Sequence, residues 1–176
     1  RPGSDMKRPR MRVITGGRHR AHRFGSITVV AGAHRDPPFR PEVEVLEEDT
    51  WRLLSAPADA PPAAEHPVRL MTALIDDRPT RPGSVLARGR RWLAVVYDLD
   101  QDPVCREEWV SQALDELLRT AARRRCRSLS LPLLGHTHGG LHCKRSLALL
   151  DGALRQARAA APSPMRIWLR LPDEHR

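Results

Sequence analysis

A glycine- and histidine-rich segment is the part of this 176-residue chain whose residue types best suit ligand chemistry. Its candidate ligand-binding residues are Gly135, His136, Thr137, His138, Gly139, Gly140 and Leu141. They follow the apolar run Ser128–Leu133 and precede a helical pattern, an order typical of a ligand loop in a parallel α/β sheet. Backbone amides of such a loop, with those of the next helix's first turn, bind anions. The segment predicts a site for a phosphate-bearing small molecule, with an ordinary strand-to-helix connection as the alternative.

Imidazole and thiol groups in the same segment raise two other kinds of chemistry. The potential metal donors are His136, His138, His142 and Cys143. Structural zinc sites usually take ligand pairs from two separated segments, and no second Cys/His pair stands near the loop in sequence. Cys143 at a helix N-terminus suits a nucleophile, but no acid to orient a histidine partner is identifiable. We therefore predict no metal, no cofactor and no catalytic residue, and expect the histidines to assist a phosphate ligand.

The elements that must position this loop are clearest in the second half of the chain. Trp92–Tyr97 is a continuous apolar run, typical of a central strand buried on both faces. The next helix should begin with Asp102 as N-cap and Pro103 at its first position, and should end at the arginine cluster 123–125. The four tryptophans, Trp51, Trp92, Trp109 and Trp168, each fall in a predicted element and favour core positions.

A second βα unit follows. Ser128–Leu133 is the next predicted strand, and a second amphipathic helix should open near His142 or Cys143 after the loop. Met165–Leu171 closes the chain as a strand. The resulting β-α-β-loop-α-β order predicts a doubly wound sheet with right-handed crossovers.

Signals in the first half are weaker. We expect strands at Met11–Thr15, Ser26–Ala31 and Glu42–Leu46, the last continued after a turn by Trp51–Leu54. The proline-rich stretch 56–67 predicts a loop, and 68–75 a short helix.

Composition bounds the class of protein. A hydrophobic content of 40% over 176 residues suits a single compact domain. The chain has no apolar run long enough to span a membrane and no signal-peptide pattern, so we expect a cytoplasmic protein with no membrane partner. Three widely spaced cysteines favour reduced core or helix thiols over a disulfide framework.

Positive charge is concentrated near the amino terminus. Residues 1–40 hold ten Arg or Lys against two Asp, a balance of +8 within the total of +9. We interpret residues 1–5 as a cloning remnant, 6–24 as a basic arm and 25–174 as the folded domain. Such an arm suits nucleic acid or an acidic protein, and a solvated arginine-rich tail is the alternative.

The stretch Pro132-Leu-Leu-Gly-His-Thr-His-Gly-Gly140 resembles a motif of the macrodomain family, whose members are ADP-ribose-binding modules. In that family a strand ends in Pro-Ala-Ile-Gly-Thr-Gly, followed by a hydrophobic residue, an aromatic residue and another Gly. Pro132, Gly135 and Gly140 match, whereas Thr137 replaces the middle glycine and Gly139 the aromatic. The resemblance covers about residues 83–174. It implies a three-layer α/β/α fold with a mixed, mostly parallel central sheet, and a loop that holds the distal ribose and diphosphate.

Two other family segments can be compared with this chain. Glu48-Asp49-Thr50 resembles the family's Gly-Asp-Ile/Thr segment, whose Asp accepts a hydrogen bond from the adenine amino group; a solvated acidic turn is the alternative. Asp49 and Thr50 are therefore candidate ligand contacts. The chain contains no Asn, so the family's Asn-Ala-Ala-Asn segment is missing, and no Gly-Gly-Gly-Val loop is present. Hydrolytic macrodomains depend on both segments.

The resemblance thus implies a divergent macrodomain that binds ADP-ribose or a related nucleotide without hydrolysing it. The first alternative is a non-enzymatic interaction module whose basic arm contacts nucleic acid or an acidic protein. The second is an enzyme that uses the histidine-rich loop on an ADP-ribosyl group or a phosphorylated nucleoside.

Overall fold

The computed structural model describes residues 19–55, 78–138, 140–158 and 163–172. In these residues the chain forms seven strands and two helices. Their bounds are β1 (Arg20–Phe24), β2 (Ile27–Ala33), β3 (Val43–Asp49), β4 (Val85–Arg88), β5 (Arg91–Tyr97), α1 (Glu107–Arg123), β6 (Ser128–Pro132), α2 (Cys143–Ala157) and β7 (Met165–Leu171).

All seven strands belong to one sheet in the order β1-β2-β7-β6-β3-β5-β4. The five strands from β2 to β5 in this order are parallel. An antiparallel strand flanks them at each edge, β1 beside β2 and β4 beside β5. This mixed, mostly parallel sheet confirms the predicted α/β class.

Hydrophobic periodicity in the sequence explains the elements of the second half of the chain. In β6 the first four residues, Ser128–Leu131, are all buried, as expected of a strand covered on both faces. α1 buries a stripe at helical spacing, made of Val110, Ala113, Leu114, Leu117, Leu118 and Ala121. α2 packs against α1 and contributes Leu150 and Leu154 to the same core. The predicted strands at 26–31, 42–46, 128–133 and 165–171 are confirmed, with bounds that differ by at most three residues.

The predicted start of α1 is wrong. The helix begins at Glu107 with Arg106 at the N-cap position, four residues after Pro103. The backbone N–H of Asp98 donates to the carbonyl of Val104, and Cys105 forms a β-bridge with Tyr97. These contacts fold residues 98–105 back along the end of β5. The acidic first turn, Glu107 and Glu108, then complements the helix dipole.

Three other expectations need correction. Strand β5 is interior, but it lies one position from the edge because the hairpin strand β4 covers it. Trp51–Leu54 forms turns instead of a strand, since side chains of the preceding acidic residues bind its backbone. Trp51 is 37% exposed and Trp109 is only half-buried, so neither is in the core. The predicted elements at 11–15, 56–67 and 68–75 lie outside the described residues.

The sheet extends into the stretch interpreted above as the basic arm. β1 starts at Arg20, so the last part of the stretch interpreted as a basic arm pairs with β2. The three cysteines are free, and Cys105 is buried in the core. Within the described part of the chain, no helix combines the length and apolar character needed to cross a bilayer.

Candidate functional site

A cleft opens in the middle of the sheet because two neighbouring strands separate. β3 pairs with β6 only at Val43 and Glu44. Beyond that point β3 continues alongside β5, while β6 stays with β7. The gap therefore lies at the carboxyl ends of the strands, where open α/β sheets bind ligands.

A cavity of about 410 Å³ occupies this gap. Its walls are the ends of β3, β6 and β7, together with His34 after β2 and the pair Leu54 and Ser55. Of the predicted loop residues, His136, Thr137 and His138 line it. The loop thus lies where the sequence predicted, at the carboxyl end of a central strand and directly before α2, which begins at Cys143.

Gly135 is required by both conformation and space. Its φ of +81° lies in the left-handed region that side chains disfavour. A Cβ built there would lie 2.7 Å from Leu141 Cδ1 and 2.9 Å from Val110 Cγ2. Gly140 also has a positive φ, +74°, but a Cβ there would meet no atom within 4 Å. The first glycine lets the loop pack on α1, whereas the second serves the turn alone.

Most of the loop's described amides are bonded within the protein. The N–H of Gly135 donates to Glu47 Oε1 at 2.7 Å, and that of His138 to the Tyr97 hydroxyl at 3.1 Å. The N–H of His136 donates to the carbonyl of Leu133 at 3.1 Å, and that of Leu141 to the carbonyl of Gly135 at 3.0 Å. Among the described contacts, only the amides of Thr137 and Gly140 are without an acceptor. The loop therefore offers fewer anion-binding amides than its glycines suggested.

The side chains of Glu47 and Tyr97 anchor the loop by hydrogen bonds to its backbone. The Tyr97 hydroxyl donates to Glu47 Oε1 at 2.8 Å, so both groups meet the loop through one connected network. Tyr97 is fully buried, and its burial beside the Glu47 charge raises the pKa of its hydroxyl. The tyrosine accordingly remains a protonated donor. This network positions the loop; the Oε1 atom that it uses is already saturated by two donors.

The histidines of the segment have separate surroundings. His136 Nδ1 donates to the carbonyl of Leu141 at 2.9 Å, which fixes its ring within the loop. His138 packs edge-on against Tyr97, with ring centroids 5.7 Å apart. His142 is the N-cap of α2 and accepts from the N–H of Lys144 at 3.3 Å. The described residues contain no group of three or more His, Cys, Asp or Glu placed to hold a metal ion.

Arg170 supplies a buried positive charge to the cavity wall. Its side chain is only 10% exposed. Nη1 donates to Glu44 Oε1 at 3.0 Å and Nη2 to the carbonyl of Val45, which lies beyond the last β3–β6 pair. Nε is buried without a partner. Burial lowers the pKa of this guanidinium and Glu44 opposes the shift, but arginine stays protonated in proteins. The cavity wall therefore includes a buried guanidinium whose Nε has no acceptor among the described residues.

Asp49 and Thr50 are not on this cavity wall. Asp49 ends β3 fully buried, and its carboxylate accepts the N–H groups of Trp51 at 3.0 Å and Leu53 at 2.6 Å. Thr50 is buried beside a separate shallow cavity of about 320 Å³. The structure thus brings His136, Thr137 and His138 together, and leaves Gly135, Gly140, Leu141, Asp49 and Thr50 outside the lining. Gly139 lies outside the described residues.

The residues around Asp49 form a tightly bonded turn. Glu48 is fully buried, and its carboxylate accepts the N–H groups of Asp49, Leu54 and Ser55 at 2.9 to 3.0 Å. Burial raises the pKa of Glu48 despite these bonds. The turn positions Leu54 and Ser55 at the cavity wall.

Sequence reasoning missed four residues of the cavity and its support: His34, Glu47, Tyr97 and Arg170. The sequence held a weak signal for one of them, Arg170. In β7 the exposed Arg166, the buried Trp168 and Arg170 alternate with apolar residues, so a tryptophan and two charges share one face of the sheet. A charge beside a buried tryptophan is typical of a half-buried position. Glu47 and Tyr97 meet the loop only through strand pairing that the sequence does not disclose.

A larger cavity, of about 490 Å³, lies on the other side of the molecule between α1 and α2. Its lining is mostly apolar, with arginines at the rim, and includes none of the predicted site residues. We therefore assign the candidate site to the smaller cavity, where the loop, the separated strands and Arg170 coincide.

The sequence matches no family model, and no curated protein matches it. Solved structures do match in fold. A mutant of the Oceanobacillus iheyensis macrodomain is 13% identical, with a TM-score of 0.65 over 89% of this chain and 91% of that one. Another mutant of that macrodomain, solved with ADPR, is 12% identical with the same TM-score and coverage.

The macrodomain of Thermus aquaticus DarG matches as well. It is 22% identical, with a TM-score of 0.55 over 84% of this chain and 99% of that one. These matches agree with the mixed α/β sheet described above. The chain has the macrodomain fold.

Proposed function

We propose that this protein binds ADP-ribose or a related nucleotide in the cavity between β3 and β6, and that it does not hydrolyse the ligand. The observation that carries the proposal is Arg170, a nine-tenths buried cation with an unpaired Nε beside the loop after β6. The charge is paired with Glu44 through Nη1, but a buried donor without an acceptor is costly, so an anionic ligand group at this wall would complete the bonding of Nε.

The remaining lining suits such a ligand. Thr137 and His138 are exposed at the rim, where the Thr137 amide and hydroxyl and the imidazole can bond phosphate oxygens. Leu46, Leu133 and Leu171 provide apolar surface for a ribose or a base. Among the fold neighbours, the Oceanobacillus iheyensis macrodomain was solved with ADPR in one structure and with ADP in another. The cavity volume falls within the range of small-molecule sites.

Absence of hydrolysis is proposed from the residues that the chain lacks. Without an asparagine or a glycine-triplet loop, the segments that the macrodomain resemblance ties to hydrolysis are missing. Glu47 is the carboxylate among the lining residues, and its Oε1 already accepts from Tyr97 and Gly135. Asp49 and Thr50 stay candidates for the adenine end, and they need a rearranged turn to reach a ligand.

Calorimetric titration of the full chain with ADP-ribose tests the binding proposal. Replacing Arg170 by Met should weaken binding about tenfold or more, since a charge-assisted hydrogen bond contributes about 1.5–3 kcal/mol. Arg166→Met is the matched control, because Arg166 lies on the same strand but is exposed and far from the cavity. A thermal melt checks that both variants fold.

His138→Ala is a second variant for the case in which the Arg170 variant unfolds. It should also weaken ADP-ribose binding, because His138 is exposed at the cavity rim. No heat and no thermal shift with millimolar ADP-ribose or ADP would refute the binding proposal. Release of ADP-ribose from a mono-ADP-ribosylated protein, abolished by a point substitution in this chain, would refute the proposed lack of hydrolysis.

A role for the basic arm in contacting nucleic acid or an acidic protein stays a second proposal. It is favoured by the +8 balance of residues 1–40. Mobility-shift assays at two salt concentrations test it by comparing the full chain with a variant in which Lys7, Arg8, Arg10 and Arg12 are replaced by Gln. Phosphate neutralisation makes affinity fall with salt whatever the base sequence, so unchanged binding and unchanged salt dependence in the variant would refute a role for the arm.

A further inference from the structure

The edge of the sheet opposite the candidate cavity is rich in arginine. Parallel strands all begin at this edge, so the segments before them meet there. Four of these segments carry arginines: 40–42 before β3, 88–91 around the β4–β5 turn, 124–127 before β6 and 163–166 at the start of β7. They carry eight exposed arginines, which we call the arginine edge: Arg40, Arg88, Arg90, Arg91, Arg124, Arg125, Arg127 and Arg166. Glu42 is the one acidic residue in these segments.

Backbone contacts show that the arginine edge is continuous. The N–H of Arg166 donates to the carbonyl of Arg127 at 2.9 Å, and the N–H of Arg127 donates to Glu42 at 2.9 Å. Arg90 Nη2 donates to the carbonyl of Pro41 at 3.3 Å. Arg88 pairs with the first residue of β5 in the hairpin. From β7 to β4 the edge crosses five strands, a span of about 19 Å at about 4.8 Å per strand.

Several of these side chains are held in place without being neutralised. The guanidinium of Arg166 lies 4.5 Å from the ring centroid of Phe39, and that of Arg124 lies 5.5 Å from the ring of Trp92. Among the described residues, no carboxylate forms an ion pair with the guanidinium of Arg90, Arg124 or Arg166. Stacking restricts the side chains while leaving their donors available, which lowers the entropic cost of binding an anion.

We propose that the arginine edge binds the phosphate backbone of nucleic acid, independently of base sequence. A row of guanidinium groups over about 19 Å matches about six base pairs of duplex at 3.4 Å each. The edge presents neither an exposed aromatic ring for stacking nor a helix for groove entry, so phosphates are the groups it can recognise. The large exposed hydrophobic residues in the described part of the chain are Trp51, Leu53 and Leu99. They belong to segments after β3 and β5 at the other end of the sheet, which disfavours a bilayer surface at the arginine edge.

The test is fluorescence anisotropy of the full chain with a labelled random-sequence duplex at 50 and 200 mM KCl. Each lost phosphate contact removes about 0.9 from the slope of log K against log salt. The association constant at 50 mM KCl divided by that at 200 mM measures this slope. The double variant Arg127→Gln, Arg166→Gln loses two contacts, so this ratio should fall by about 12-fold. The pair Arg88→Gln and Arg90→Gln, at the other end of the edge, should do the same.

Arg78→Gln with Arg106→Gln is the matched control, since both residues are exposed, lie outside the arginine edge and change the net charge equally. It should change that ratio by less than about twofold. Equal losses in control and edge variants, unchanged binding in both edge pairs, or no duplex binding by the parent chain would each overturn the proposal. If the parent chain binds phosphatidylserine vesicles but no duplex, and the edge variants lose the vesicle binding, the edge would instead be assigned to a membrane surface.

Discussion

The loop after β6 and the turn after β3 lie on opposite sides of the same cavity, yet they are held in different ways. The loop depends on distant residues: Glu47 binds Gly135 across 88 positions of sequence, and Tyr97 binds His138 across 41. The turn depends on its own neighbours, since Glu48 and Asp49 accept N–H groups no more than seven positions away. One wall of the site is thus built by tertiary contact and the other by local bonding.

This difference indicates whether the loop or the turn changes conformation more readily when a nucleotide binds. The turn's carboxylates are already saturated by backbone donors, so opening it to expose Asp49 breaks several hydrogen bonds together. Among the described contacts, the loop has unpaired amides at Thr137 and Gly140, and His138 is exposed at the rim. We therefore expect ligand binding to change the loop more than the turn.

The largest effect should come from Gly135. Gly135→Ala places a Cβ within 3 Å of Leu141 and Val110 at a positive φ. Overpacking and backbone strain together should lower the free energy of unfolding by about 3 kcal/mol. Gly140→Ala is the control, since it adds strain without a clash and should cost about 1 kcal/mol. Urea unfolding measures both; equal losses would mean that packing on α1 does not set the loop.

The loop's location was predictable from sequence because strand and helix periodicities meet across it. The same periodicity gave β2, β3, β6, β7 and most of α1. It did not give β1, whose sequence Arg-Ala-His-Arg-Phe has no hydrophobic alternation, because an edge strand buries little. It also missed β4, although the short Gly89-Arg90 turn before an apolar run is a hairpin signal.

The chemistry of the site was harder to predict than its place. Arg170 reaches the cavity because β3 and β6 separate after two residue pairs, and Glu47 meets Gly135 because their strands are neighbours. Both facts depend on strand order and register, which local sequence does not encode. Asp49 shows the opposite error, since a short family-like segment is used by the protein for its own turn.

The turn should respond next most strongly, to Glu48→Ala. The substitution leaves three backbone N–H groups without their acceptor and should cost about 2 kcal/mol at neutral pH. Hydrogen exchange should accelerate at the amides of Leu54 and Ser55 and stay unchanged at Gly135 and His138. Faster exchange at all four amides would show that the two walls are coupled, which contradicts the comparison.

The cost of Glu48→Ala should also depend on pH. The folded-state pKa of Glu48 is raised above its ordinary value of 4.5, so the folded protein binds its proton more tightly than the unfolded chain. Its contribution to stability is then greatest below pH 4.5 and declines as pH rises through the folded-state pKa. Urea unfolding from pH 4 to 8 should show the difference between parent and variant shrinking with pH. A difference that grows with pH would mean that the buried carboxylate is stabilised in its charged form.

The loop's tertiary anchor should give a smaller stability effect than the turn. Tyr97→Phe removes the hydroxyl that joins Glu47 to the N–H of His138, at a cost of about 1 kcal/mol. Exchange of the His138 amide should accelerate, while Leu54 and Ser55 stay protected. If the variant keeps His138 protected, the loop is held by its own turn and by Gly135 packing, and the contrast between the two walls is weaker than the contacts indicate.

The smallest effect concerns the point where the loop becomes a helix. His142 caps α2 through a long 3.3 Å bond from the Lys144 N–H to its imidazole, at an extended backbone conformation that suits an N-cap. Serine is a preferred residue at this position because its hydroxyl reaches the same donors with better geometry. His142→Ser should therefore raise the free energy of unfolding by about 0.5 kcal/mol, measured by urea unfolding, while Gly135 and His138 exchange as before. A loss of stability would show that the imidazole contributes contacts beyond the cap, and a change at His138 would show that the helix start and the cavity wall move together, so that the loop is set from its carboxyl end as well as by Glu47 and Tyr97.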